Sequence, residues 1–223
     1  MKKQKEIRRP SRDLVEKLRT VPTETLSDAL DKLGLQGVME GISPVVQGAA
    51  LCGPAVTVKE DVGELGTYSL DDFRVGEVIQ VAKRNDVIVF DAGGQKVCTW
   101  GGLATRAAVA NGVGGVVCDG GIRDIEEIRK FRFPAFARHV IPTSGKTRVR
   151  VSSINGVIQC GGINVAHGDI VVGDETGIVV VPMARANEVL KTTAKLVKAE
   201  KRFEELLEEG RTYSDAAHKL LHM

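Results

Sequence analysis

The sequence predicts an α/β domain that ends in a long helix, on three observations. Two consecutive segments have the form strand, glycine corner, helix: DVIVFDAGG through CTWGG into LATRAAVANG, then GVVCDGG into IRDIEEIRKF. From RVRVSSI to GIVVVP the chain is a series of short β-branched segments separated by turn residues. Positions 184–209 then carry a charge-laced helical pattern, ANEVLKTTAKLVKAEKRFEELLEEG, at its heart.

The elements follow in order. Positions 11–19 read as a short helix with Leu14, Val15 and Leu18 on one face. A second helix is expected over 23–33: Thr23 caps it after Pro22, Glu24 opens the first turn, Leu26, Leu30 and Leu33 align, and Gly34 stops it. Strands are expected at 55–59, 78–82 and 86–91, and a helix starting near Leu103. GVIQCGGINV, DIVVGD and GIVVVP continue the strands until Pro182 closes the region. In the last helix Val189, Leu190, Leu196, Val197, Phe203, Leu206 and Leu207 form an incomplete apolar stripe. No linker or repeat interrupts the chain, so a single domain over 1–223 is expected, with its core at about 22–182.

Composition excludes several classes. The 43% apolar and 27% charged fractions of the 223 residues are those of a globular chain, not a disordered one. Lys+Arg 31 against Asp+Glu 29 leaves +2, without the basic excess of a nucleic-acid binder. No apolar run is long enough for a membrane span, and the basic start (MKKQKEIRRPSR) leads into no signal-peptide core, so a cytoplasmic location is expected. Cys52, Cys98, Cys118 and Cys160 form no Cys-x-x-Cys pair and read as buried reduced thiols.

Familiar site patterns fail on spacing. A P-loop ending in GKT at 145–147 would need glycine where Val140 stands, and GVGGVV at 112–117 lacks the third glycine of a dinucleotide fingerprint. No G-x-S-x-G elbow occurs. His218 and His222 are four apart without a Glu or Cys partner, which argues against zinc; His139 and His167 read as structural.

What remains is the pair of glycine corners. Nine of the 25 glycines lie between positions 93 and 121, so the excess frames these corners. Gly101 and Gly102 precede a helix start, whose unpaired N–H groups and partial positive charge suit a carboxylate or phosphate. The alternative is tight strand-on-helix packing. The second corner sets Asp119 at a strand end, Arg123 in the turn and Asp124 near a helix start, with Glu127 three residues on and able to share a helix face. Arg beside Asp offers a planar fork for a substrate carboxylate and an oxygen ligand for a hard cation. Equally, the carboxylates can favour the helix dipole while Arg123 pairs with one of them.

The spacing of these residues resembles that of the RraA-like family, which contains 4-hydroxy-4-methyl-2-oxoglutarate aldolases and proteins named as regulators of ribonuclease E activity. Its pattern G-x20-R-D-x2-E/D is met by Gly102, Arg123, Asp124 and Glu127, and TLSDAL, WGGLAT and GDIVVGDETGIVVVP add similarity over about 22–182. The resemblance implies a β/β/α sandwich of the swivelling-domain type, assembled as trimers or pairs of trimers. It implies a class II aldolase that needs Mg2+ or Mn2+, cleaves 2-keto acids to pyruvate and decarboxylates oxaloacetate. By the same resemblance the amides of Gly101, Gly102, Leu103 and Ala104 bind substrate with Arg123, and Asp124 holds the metal. A neighbouring subunit's carboxylate contributes, with Glu200, Glu204 and Glu205 as the available sources. Better-studied aldolases of the family carry aspartate where Gly102 stands; here Glu127 would supply that carboxylate. The alternative function is a non-catalytic regulator that binds and inhibits a ribonuclease.

Overall fold

A computed structural model describes residues 9–221, with side chains to 218. Residues 1–8 of the basic start, and His222 of the candidate zinc pair, lie outside the described residues. Helices α1 (Arg12–Arg19) and α2 (Thr23–Lys32) come first. Short β1 (Val38–Met39) and β2 (Ser43–Pro44) precede the long β3 (Leu51–Val62). Then come α3 (Val75–Val81), β4 (Val87–Asp91), β5 (Cys98–Trp100), α4 (Gly102–Ala110), β6 (Gly115–Ile122), α5 (Ile125–Lys130) and β7 (Ala135–Val140). Strands β8 (Val149–Ile154), β9 (Ile158–Cys160), β10 (Ile163–Val165), β11 (Ile170–Gly173) and β12 (Ile178–Val181) lead to α6 (Ala186–Glu208) and α7 (Tyr213–Leu221).

The architecture is the expected α/β one with a long C-terminal helix. One mixed sheet runs β1-β12-β11-β3-β4-β6-β7-β2, with β5 added to β6 and β8 to β3. Its centre is parallel: Val56 aligns with Ile88, and Ile88 with Val116. Every residue of β4 and β6 is buried, as parallel strands covered on both faces require. Strand β3 joins two regions, pairing antiparallel with β11 at Leu51–Pro54 and parallel with β4 from Ala55. Around it one core gathers Val56, Phe90, Trp100 and Phe136. A second core packs α1, α2 and α6 on β11 and β12 through Leu18, Leu26, Leu30, Ile170 and Val189.

Local differences from the sequence reading have tertiary causes. The stretch 78–82, expected as a strand, belongs to α3, because Val75, Val78 and Ile79 bury one helical face. Packing overrides the strand preference of its β-branched residues. Thr23 is not the cap of α2 but its first residue; its N–H and hydroxyl donate to Asp174 at 3.0 and 2.8 Å. Met183–Arg185 form a 3-10 turn, so α6 starts at Ala186 rather than 184. Val197 and Leu207 of its stripe stay 47% and 40% exposed. All four cysteines are buried and free, and among the described residues no helix is long and apolar enough to cross a membrane.

Three carboxylates are buried in the sheet. Asp91 pairs with Lys59 at 2.9 Å and accepts from the Gln159 N–H, while Asp119 pairs with Arg138 and accepts from the Gly161 N–H at 2.8 Å. Glu60 differs. A register shift between Lys59 and Glu60 marks its position in β3, where it is 3% exposed. Its Oε2 accepts a hydrogen bond from the Thr99 hydroxyl at 2.5 Å, and its Oε1 has no partner among the described residues. Burial pushes its pKa from 4.5 up to about 8. The folded state thus holds a proton that the unfolded chain has lost, so stability falls as pH rises from 4.5 to about 8 and levels off above. Thermal unfolding should show the wild-type midpoint dropping between about pH 6 and about pH 8, with a flatter profile for Glu60→Gln. Parallel profiles would contradict the burial account.

Candidate active site at two glycine corners

The first corner is set by Trp100. Its ring is fully buried between Phe90 and Phe133, with centroids 5.9 and 6.0 Å away, the second stacked. Its Nε1–H donates to the Thr105 hydroxyl at 2.8 Å, fixing the first turn of α4 to the end of β5. Gly101 is the extended residue before α4, and Gly102 the first residue within it. The first intrahelical bond is Thr105 N–H to Gly101 C=O. The Leu103 and Ala104 N–H groups therefore have no helical acceptor.

The second corner meets the first because β5 and β6 pair in parallel, Trp100 opposite Ile122. The Arg123 N–H donates to the Trp100 carbonyl at 3.0 Å. Asp124 follows in a left-handed conformation, φ 57°. An aspartate tolerates this better than most side chains. It occupies the cap position of α5 rather than a helical one. The turn sends its carboxylate to the first corner, where Oδ2 accepts the Gly102 N–H at 3.0 Å. The Arg123 Nε lies 3.6 Å from the same oxygen, and Oδ1 makes no hydrogen bond among the described residues.

The two glycines make room for two carboxylates. A Cβ on Gly101 would lie 2.6 Å from Asp124 Oδ2. A Cβ on Gly102 would lie 2.1 Å from Glu127 Oε2 and 2.7 Å from its Cδ. Glu127 is held there by Arg106 at 3.1 Å, whose guanidinium also sits 5.7 Å over the Phe131 ring. Thus Asp124 and Glu127 do not share a helix face; they converge on Gly101–Gly102 from the cap and the first turn of α5.

A cavity of about 330 Å3 opens at this junction, lined by Thr99, Gly101, Leu103, Ala104, Arg123 and Asp124. Asp124 also lines the two neighbouring depressions, one shared with Glu127 and the other with Val140. Cys98 lies against the cavity too, donating to the Trp100 carbonyl at 3.0 Å; burial pushes its thiol up to about 11, so it stays neutral. Ser144 and Lys146 form a further wall, which sequence reading missed. The GKT segment had signalled only a failed P-loop; its proximity follows from the bridge between Ser144 and Cys98. Glu200, Glu204 and Glu205 lie on α6, away from this cavity; Glu200 is pushed up by partial burial and by Asp28 and Glu24. His139 Nε2 is 3.0 Å from the Gly94 carbonyl, consistent with a structural role, and His218 is exposed.

Among the described residues no three His, Cys, Asp or Glu side chains gather as a metal cage. The available set is the carboxylate pair Asp124 and Glu127. Hard oxygen donors of this number suit Mg2+, which keeps several waters and takes only one or two protein carboxylates. Asp124 also has a structural task that can be measured. Asp124→Ala removes the acceptor of the Gly102 N–H and should lower the unfolding free energy by about 1 kcal/mol. Asp124→Asn, which keeps an acceptor oxygen, should lose less. Urea unfolding of the three proteins checks this; equal stabilities would remove the cap from the account.

A family model described as RraA-like, Aldolase/RraA, matches residues 23–180. A Halalkalibacterium halodurans protein named "Putative 4-hydroxy-4-methyl-2-oxoglutarate aldolase" is 35% identical over 186 residues, covering 82% of this chain and 83% of its own. Protein DlpA of Legionella pneumophila is 32% identical over 205 residues, 92% of this chain but only 33% of that protein. The crystal structure of Streptomyces coelicolor RraAS2, described as an unusual member of the RNase ES inhibitor RraA protein family, matches with TM-score 0.77 at 26% identity. It covers 87% of this chain and 96% of its own. The chain belongs to the RraA-like family.

Proposed function

We propose that the cavity is the site of a divalent-metal-dependent lyase that cleaves 4-hydroxy-4-methyl-2-oxoglutarate-like 2-keto acids to pyruvate and decarboxylates oxaloacetate. The observation that carries the reading is the convergence of Arg123, Asp124 and the open N-terminus of α4 on one cavity, with Glu127 on the adjoining hollow that Asp124 also lines. The names of relatives at about a third identity support the substrate class.

Each group has a task in this reading. The Leu103 and Ala104 N–H groups and the positive end of α4 bind the 2-keto acid carboxylate. Arg123 adds a planar cationic fork, and its charge stabilises the enolate left when the bond to C4 breaks. A divalent cation, when held by Asp124 with Glu127 as second carboxylate, supplies positive charge toward the keto oxygen. Asp124 and Arg123 keep their relative positions because each is tied to the first corner, one through the Gly102 N–H and the other through the Trp100 carbonyl. Leu103, 82% exposed beside the cavity, and Val140, 62% exposed, are apolar surface that a neighbouring subunit of a trimer would cover.

The test is pyruvate release by the purified protein from oxaloacetate and from 4-hydroxy-4-methyl-2-oxoglutarate. Release should vanish with chelator and return with Mg2+. Arg123→Ala should lower kcat/KM by about a hundredfold or more, and Asp124→Ala should abolish metal-dependent turnover. Chelator-insensitive release, or full activity of Asp124→Ala, would sink the assignment. No release from either substrate, with Mg2+-independent inhibition of a ribonuclease, would favour the regulator reading, which the RNase ES inhibitor relatives support.

A further inference from the structure

Glu60 and Thr99 form a pair that the site chemistry above leaves unused. Thr99 lies on β5 directly before Trp100 and lines the same cavity as Arg123 and Asp124. Behind it, away from solvent, stands Glu60, 3% exposed, its Oε2 2.5 Å from the Thr99 hydroxyl and its Oε1 unpartnered. A fully buried carboxyl with one satisfied oxygen is costly as an anion. Its surroundings offer little compensation. Lys59 from β3 is committed to Asp91 of β4 at 2.9 Å. From β8, Arg150 turns to Asp61 at 2.7 Å, and Cys118 of β6 is a neutral thiol pushed up by burial. Among the described residues no cation pairs with Glu60; Lys59 lowers its pKa only in part, and burial holds it up at about 8, so it rests as the acid at neutral pH.

We infer that Thr99 is the proton donor of the cavity and that Glu60 is the positioning residue that loads it. A neutral Glu60 reverses the 2.5 Å contact: its O–H donates to Thr99 Oγ, which frees the Thr99 O–H to point into the cavity. The inference rests on the reading of the site as enolate-forming. There, the Thr99 proton moves to C3 of the pyruvate enolate, whose π pair becomes the new C–H bond. The Glu60 proton replaces it on Thr99 Oγ, leaving a carboxylate. Water then restores the Glu60 proton, and the C4 hydroxyl proton released in aldol cleavage leaves to water, so protons balance over the cycle. Oxaloacetate decarboxylation draws the same single proton from water.

The test uses the full chain with Mg2+ in deuterated water and reads two quantities by NMR: pyruvate release from oxaloacetate, and deuterium incorporation into the methyl group of added pyruvate. Glu60→Gln and Thr99→Val should slow methyl exchange by about tenfold or more with KM for oxaloacetate little changed, and Thr99→Ser should restore it. Methyl exchange begins with the reverse transfer, from pyruvate to Thr99 with Glu60 as carboxylate, so wild-type exchange should rise with pH to a plateau above about pH 8, and Glu60→Gln should lack that rise. Wild-type exchange in both Glu60→Gln and Thr99→Val, or an unchanged rise with pH in Glu60→Gln, overturns the inference. If Glu60→Gln fails to fold, the Thr99→Val and Thr99→Ser pair decides: exchange that is lost and then restored supports it, and exchange equal to wild type refutes it. Variants matching an active wild type sink this inference alone. A wild type that neither releases pyruvate nor exchanges its methyl protons sinks the reading of the site as well.

Discussion

The site depends on one hydrogen bond, from the Gly102 N–H to Asp124 Oδ2. It is a helix cap supplied not by the preceding residue but by a side chain 22 positions later. Three local facts make it possible. Parallel pairing brings the ends of β5 and β6 side by side, the left-handed turn at Asp124 aims the carboxylate back, and Gly101 leaves the space it needs. Any Cβ at Gly101 would press on Asp124 Oδ2, so a larger residue there would displace the carboxylate from its cap.

The same contact explains why the corner can be both frame and chemistry. Only one Asp124 oxygen is used in the cap, and the residue borders three neighbouring hollows. Glu127 fills the volume that a side chain at position 102 would need, so an aspartate at that position is incompatible with Glu127 as placed here. The cavity lies beyond the carboxyl ends of β5 and β6, where parallel sheets leave room for ligands because their helices turn away.

Much of this was legible in the chain. The strand, glycine and helix succession announced the first corner, and the Gly102, Arg123, Asp124, Glu127 spacing marked the residues that converge; Asp119, read as a strand end, and Gly120–Gly121, read as the second corner, lie inside β6, which runs on to Ile122 before the turn at Arg123–Asp124. The missed features are long-range. Val75, Val78 and Ile79 look like strand material until a sheet is present for one helical face to cover. Thr23 looked like a local cap, whereas its partner is Asp174. Glu60 and Thr99 are 39 positions apart and meet only because β3 and β5 flank the same interior. Lys146 carried a discarded motif, and nothing in its neighbours announced that its loop would wall the cavity.

The most direct test of the central claim is Mn2+ binding followed by electron paramagnetic resonance, with Mn2+ standing in for Mg2+. Binding should be saturable in the wild type, tightened by pyruvate, weakened in Glu127→Gln and lost in Asp124→Ala even where that variant remains folded. Equal Mn2+ binding by wild type and folded Asp124→Ala would contradict it, leaving Asp124 a cap and nothing more.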